Sequence, residues 1–141
     1  MTVDRKRISS GSTLEDQFAY SRAVMQGDWC FVSGTTGYDY ESMSMPESVA
    51  DQAANAFATI ERTMEEGDFS LLDIVRIQYT ITDAAYADEV QPVLHKYLNQ
   101  VKPVATMVVA GLINPEMKIE IEVTALRSSS CLLYTSPSPR D

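Results

Sequence analysis

Glu120 and Glu122 stand two residues apart in KIEIEV, a spacing that on a β-strand puts both carboxylates on one face, about 7 Å apart. Buried in a cleft, one of them would gain the raised pKa that suits a general base. On an open sheet face the pair is merely hydrated, and spacing alone admits both readings. Tyr20 and Arg22 in AYSRAV pose the same choice, sharing a strand face as either ligand contacts or an exposed edge. His95, the single histidine, lies in LHKYL beside Lys96, where a surface or half-buried structural role is expected. Cys30 in DWCFVSG has no adjoining cation to lower its pKa and reads as a small buried hydrophobe. GTTGYD lacks the lysine and the following helix of a phosphate loop. No His, Cys, Asp or Glu cluster has metal-ligand spacing. No metal site is expected.

The elements that must position these groups follow from periodicity. RKRIS (Arg5–Ser9) is expected as an edge strand, and Tyr20–Met25 with Trp29–Ser33 as a hairpin turning at Gln26-Gly27-Asp28. Ser48–Gly67 carries an apolar stripe of Val49, Ala53, Ala56, Phe57, Ile60 and Met64, with Pro46 before it and Gly67 after it, which predicts a helix. Ile74–Thr82 reads as a strand with Val75, Ile77, Tyr79 and Ile81 inward. Ala85–Asn99 predicts a second helix, with Tyr86, Val90, Val93 or Leu94, and Tyr97 or Leu98 inward; Pro92 is expected to kink it or delay its start. Ala105–Ala110 and Lys118–Arg127 are the last strands, joined through GLINPE. The order is that of an α+β protein whose mixed sheet carries two helices on one face. Its other face is left open for an oligomer to bury.

The chain has 141 residues and a net charge of −9, with 20 acidic against 11 basic residues. That surface repels phosphate backbones, so no nucleic-acid partner is expected. No apolar run reaches membrane-spanning length, so no membrane partner and a cytoplasmic location are expected. A single domain is expected over residues 1–130. CLLYTSPSPRD (Cys131–Asp141) breaks every earlier pattern and reads as translated sequencing adaptor, so residues 131–141 are expected to be a non-native tail.

Five blocks together, AYSRAV, FVSGTTG, DIVRIQYTITD, KPVATM and NPEMKIEIEVTA, resemble the Rid/YjgF family of reactive-intermediate deaminases. The resemblance covers roughly Ile8 to Arg127. It implies a chorismate-mutase-like α+β fold, a homotrimer, and small-molecule ligands bound in the clefts between subunits. It further implies cofactor-independent hydrolysis of imines and enamines to a carbonyl compound and ammonia. By the same resemblance Glu120 positions the attacking water, while Tyr20, Ser33, Gly34 and Gln91 line the site, with the segment Ala105, Thr106, Met107 beside them.

One position departs from that pattern. The family's arginine, which clamps a substrate carboxylate, falls on Ala105, and alanine cannot hold an anion. Arg22, on the Tyr20 side, is a substrate-binding candidate that offers a relocated anion clamp; the alternative is a solvent-facing arginine. Three functions fit: a divergent imine or enamine hydrolase, a non-catalytic metabolite-binding trimer, and a structural module.

Overall fold

The computed structural model describes residues 4–128; the expected tail at 131–141 lies outside them. Six strands form one sheet in the order β1-β2-β3-β6-β4-β5. They are β1 (Lys6–Ile8), β2 (Ala23–Gln26), β3 (Trp29–Thr35), β4 (Ile74–Ile81), β5 (Val104–Val109) and β6 (Ile119–Leu126). Neighbours run antiparallel except β4 and β5, which are parallel and therefore need the crossover helix between them. The helices are α1 (Thr13–Gln17), α2 (Val49–Glu65) and α3 (Tyr86–Leu98). The expected α+β class, a mixed sheet with two long helices packed on one face, is the architecture found.

The core sits between α2, α3 and the sheet. Ser48 caps α2 by accepting from the Asp51 amide at 3.0 Å. The predicted stripe Val49, Ala53, Ala56, Phe57, Ile60 and Met64 is buried against the sheet. Val90 and Leu98 of α3 are buried, and the Tyr97 ring stacks on Phe57 at 4.7 Å between centroids. Pro92 lies inside α3 without delaying its start. On the sheet, Ile77, Tyr79, Ile81, Ile119, Ile121 and Val123 complete this layer.

Two local expectations change. Val75 is exposed and Ile74 buried, because a register shift between Ile74 and Arg76 resets the alternation of β4. Past α2, Asp68 takes the left-handed conformation (φ 63). Gly67 packs tightly on β2: a Cβ there would lie 2.0 Å from Met25 Sδ, which would have to shift. The strand expected from Tyr20 begins at Ala23, because α1 and the turn after it occupy the preceding residues.

Gln52 of α2, wholly buried, ties the loops to this frame. Its amide donates to the carbonyls of Pro46 (2.8 Å) and Glu116 (3.0 Å) and accepts from Lys118 N–H (2.9 Å). Asn55 donates to the Gly37 carbonyl at 3.0 Å. A Cβ on Gly37 would stand 2.5 Å from Gln52 Cα, so the loop after β3 lies directly on α2.

Candidate functional site

The site begins with an interruption of the ladder between β3 and β6. Val32 pairs with Val123 and Thr35 with Ile121, so Ser33 and Gly34 together oppose Glu122 alone. This bulge kinks β3 at the point where β6 presents its acidic face, a common device beside active sites. The Glu120 carboxyl lies against Gly34, so close that a Cβ there would meet Glu120 Cδ at 2.6 Å. Only glycine leaves room for it.

Glu120 and Glu122 share the β6 face opposite the core, as the alternation requires, but their surroundings differ. Burial raises the Glu120 pKa, and the Glu122 charge raises it further while Arg22 opposes the rise. Glu122 is exposed and faces Arg76 at 3.7 Å. The two carboxylates are thus inequivalent: one enclosed in a cleft, one at its edge.

Arg22 is 2% exposed, which overturns the solvent-facing alternative. Its Nη2 donates to the Gly34 carbonyl at 2.9 Å and its Nη1 to the Tyr40 hydroxyl at 3.4 Å. The guanidinium stands 5.6 Å from the Tyr20 ring centroid. Its Nε is buried without a hydrogen-bond partner. Arg22 therefore ties Gly34, Tyr20 and Tyr40 together from beneath. Ser33 donates its hydroxyl to the Ser21 carbonyl at 2.7 Å, fixing the bulge to the segment that carries Tyr20 and Arg22.

These side chains line one cavity of about 680 Å³, which holds Tyr20, Arg22, Ser33, Gly34, Glu120 and Glu122. Arg22 is the single basic residue among its lining residues. α1 sets the entry of the chain to the cleft. Ser12 caps it at Leu14 N–H (3.2 Å), and the buried Glu15 accepts from Ser10 through its amide (3.1 Å) and its hydroxyl. The next turn places Ala19 at φ 59, and Met43 on the facing loop has φ 55. A left-handed conformation costs a non-glycine residue roughly 1–2 kcal/mol. Tyr38 joins the two remaining walls: it bonds Glu116 and accepts from Asn114 Nδ2 at 3.2 Å.

Gln91, Ala105, Thr106 and Met107 are not in this cavity. Gln91 is exposed on α3. β5 is an edge strand exposed along its whole length, with Ala105 beside Ile77, Thr106 beside Gln78 and Met107 beside Tyr79. One chain thus brings together four of the expected ligand-facing residues with Glu120, and leaves the Gln91 and Ala105–Met107 groups elsewhere on its surface. Cys30 is buried, and burial pushes its thiol up to about 11; His95 is exposed on α3. Neither lines the cleft. Tyr38, Tyr40, Phe18, Met43 and Ile113 do line it, and no periodicity in the sequence marks them. Among the described residues no cluster of His, Cys, Asp or Glu could hold a metal ion, and no helix is long and apolar enough to cross a membrane.

A mixed sheet backed by two helices is the architecture shared with solved YjgF/UK114 structures. The chain belongs to that family: the model described as Endoribonuclease L-PSP matches residues 11–127. A Mycobacterium tuberculosis member of the YjgF/YER057c/UK114 family is 34% identical in sequence, with a TM-score of 0.80 over 87% of this chain and 99% of that one. RidA from the Antarctic bacterium Psychrobacter sp. PAMC 21119 is 26% identical, with a TM-score of 0.73 over 89% and 98%. An uncharacterised protein of Streptomyces coelicolor is 28% identical over 125 residues, 88% of this chain and 93% of its own.

Proposed function

We propose that the protein is a hydrolytic deaminase of reactive imines and enamines, with Glu120 as its base. The observation that carries this reading is the half-buried Glu120 carboxyl, packed on Gly34 at the floor of a cleft. Glu120 takes a proton from water as the oxygen adds to the imine carbon, giving a carbinolamine. The proton then passes from Glu120 to nitrogen, and Glu120 takes the hydroxyl proton of the carbinolamine on to the same nitrogen, so that the C–N bond breaks and ammonia leaves as the C=O bond forms. One water is consumed and no electrons are exchanged. An enamine reaches the same path once it is protonated at carbon. A pKa raised above the ordinary carboxylate value by burial makes Glu120 a better proton acceptor. The Tyr20 hydroxyl has no hydrogen-bond partner among the described residues and is free to meet a ligand.

The working form in this proposal is a cytoplasmic homotrimer. Trp29 and Phe31 stack at 5.8 Å on the uncovered sheet face, 44% and 49% exposed, and Val104 of β5 is 69% exposed. Apolar surface of this kind calls for a partner, and a neighbouring chain's β5 would carry Ala105–Met107 toward the cleft. With alanine at 105, a substrate carboxylate would meet Arg22 as the one positive charge of the lining, so imino acids should be poor substrates. That absence also sustains a second reading, a trimer that binds small metabolites without turning them over. Ammonia release from enzymatically generated 2-aminoacrylate or from simple imines, above the spontaneous rate, tests the proposal. Acceleration by the parent and none by Glu120→Gln supports deamination; equal rates with and without protein leave the binding reading.

A further inference from the structure

Three separate loops each direct one apolar side chain into the mouth of the Glu120 cleft. Phe18 follows α1, Met43 comes from the loop between β3 and α2, and Ile113 from the loop between β5 and β6. They are 59%, 59% and 66% exposed. A single exposed hydrophobe is ordinary, but three converging on one cavity are not. Two of these placements carry backbone strain, at Met43 itself and at Ala19, which separates Phe18 from Tyr20. Strained backbone persists where the surroundings hold it and tends to collect at ligand sites. The Tyr38 bonds to Asn114 and Glu116 fix the loops of Met43 and Ile113 relative to each other. The apolar residues suited to assembly, Trp29, Phe31 and Val104, line no part of this cavity.

Resting on the deaminase reading, we infer that the cleft selects substrates with a bulky apolar substituent, gripped by Phe18, Met43 and Ile113 while the C=N carbon faces Glu120. The volume, about 680 Å³, agrees: it falls in the range of roughly 300–1,000 Å³ that holds ligands of drug size.

The test compares imines made in situ by an amine oxidase from ethylamine and from 2-phenylethylamine, neither bearing a carboxylate. Hydrophobic pockets discriminate by about tenfold or more per group filled, so kcat/KM should favour the phenyl substrate by at least about tenfold. Phe18→Ser with Ile113→Ser should lower that ratio by about tenfold, with the oligomeric state unchanged. Met43→Asn, which suits a left-handed backbone, should lower the ratio without loss of fold. Equal kcat/KM in the parent would overturn the inference. So would dissociation of the assembly in the variants with the ratio intact. If neither imine is hydrolysed, the deamination reading falls by itself, and calorimetry with phenylacetamide against acetamide decides. Tighter phenylacetamide binding that the variants weaken upholds the inference; equal binding overturns it.

Discussion

Replacing Gly34 by alanine should separate the fold's needs from the site's. The added Cβ would lie 2.6 Å from Glu120 Cδ and 2.8 and 2.9 Å from its two oxygens. Ordinary carbon contacts are about 3.5–4.0 Å, so the carboxyl must retreat by about an ångström. Gly34 is not among the residues with positive φ, so its backbone accepts alanine without strain. Reduced entropy of the unfolded chain stabilises by about 0.4–1 kcal/mol, and an off-rotamer Glu120 costs about 0.5–1.5 kcal/mol. The two nearly cancel, and urea unfolding should find the variant within about 1 kcal/mol of the parent. A misplacement of that size costs about a hundredfold in rate, so imine hydrolysis should fall by that factor. Gly37→Ala is the contrast. There the Cβ meets the Gln52 backbone, 2.5 Å from Cα and 2.8 Å from the carbonyl oxygen, which cannot swing aside. Overpacking of that kind costs about 1–3 kcal/mol or more. Unchanged turnover in Gly34→Ala, or a loss of stability as large as that of Gly37→Ala, would refute the reasoning.

Glu120→Gln should abolish turnover and raise stability at neutral pH. The native carboxyl titrates above its unfolded value, so the folded state holds the extra proton, and stability falls as pH rises through that window. The gap in Tm between variant and parent should therefore close below about pH 4, near the ordinary glutamate value, and a gap that persists there would contradict the assignment. Arg22→Gln removes the bonds to the Gly34 carbonyl and Tyr40 and should cost about 1.5–3 kcal/mol by urea unfolding, the range for charged hydrogen bonds. A change under about 0.5 kcal/mol is what a surface arginine would give. Ala105→Arg should raise kcat/KM for carboxylate-bearing imines over the parent, measured as keto-acid release; no gain would mean that a missing clamp is not what limits them.

What the sequence made legible were the features that obey a single period. The acidic face of β6 followed from strict alternation, and the buried stripe of α2 from three- and four-residue steps, because each depends only on its own element. Features set by contact between elements left no such mark. The shift that exposes Val75 arises where β4 meets β6, and the close approach of Met25 to Gly67 arises where β2 meets the end of α2. The site combines both kinds. Glu120 was visible as one of a pair, but the pair became inequivalent only because the bulge at Ser33 and Gly34 brings a glycine under one carboxyl and leaves the other beside Arg76. Arg22 shows the same logic from the opposite side. A chain of net charge −9 offers every reason to expect an arginine at its surface, but the Gly34 carbonyl, the Tyr40 hydroxyl and the Tyr20 ring, none of them marked by periodicity, hold this one buried. The geometry of the cleft therefore depends on an irregularity one residue long, and a change that restored regular pairing there would remove both the seat of Glu120 and the partner of Arg22.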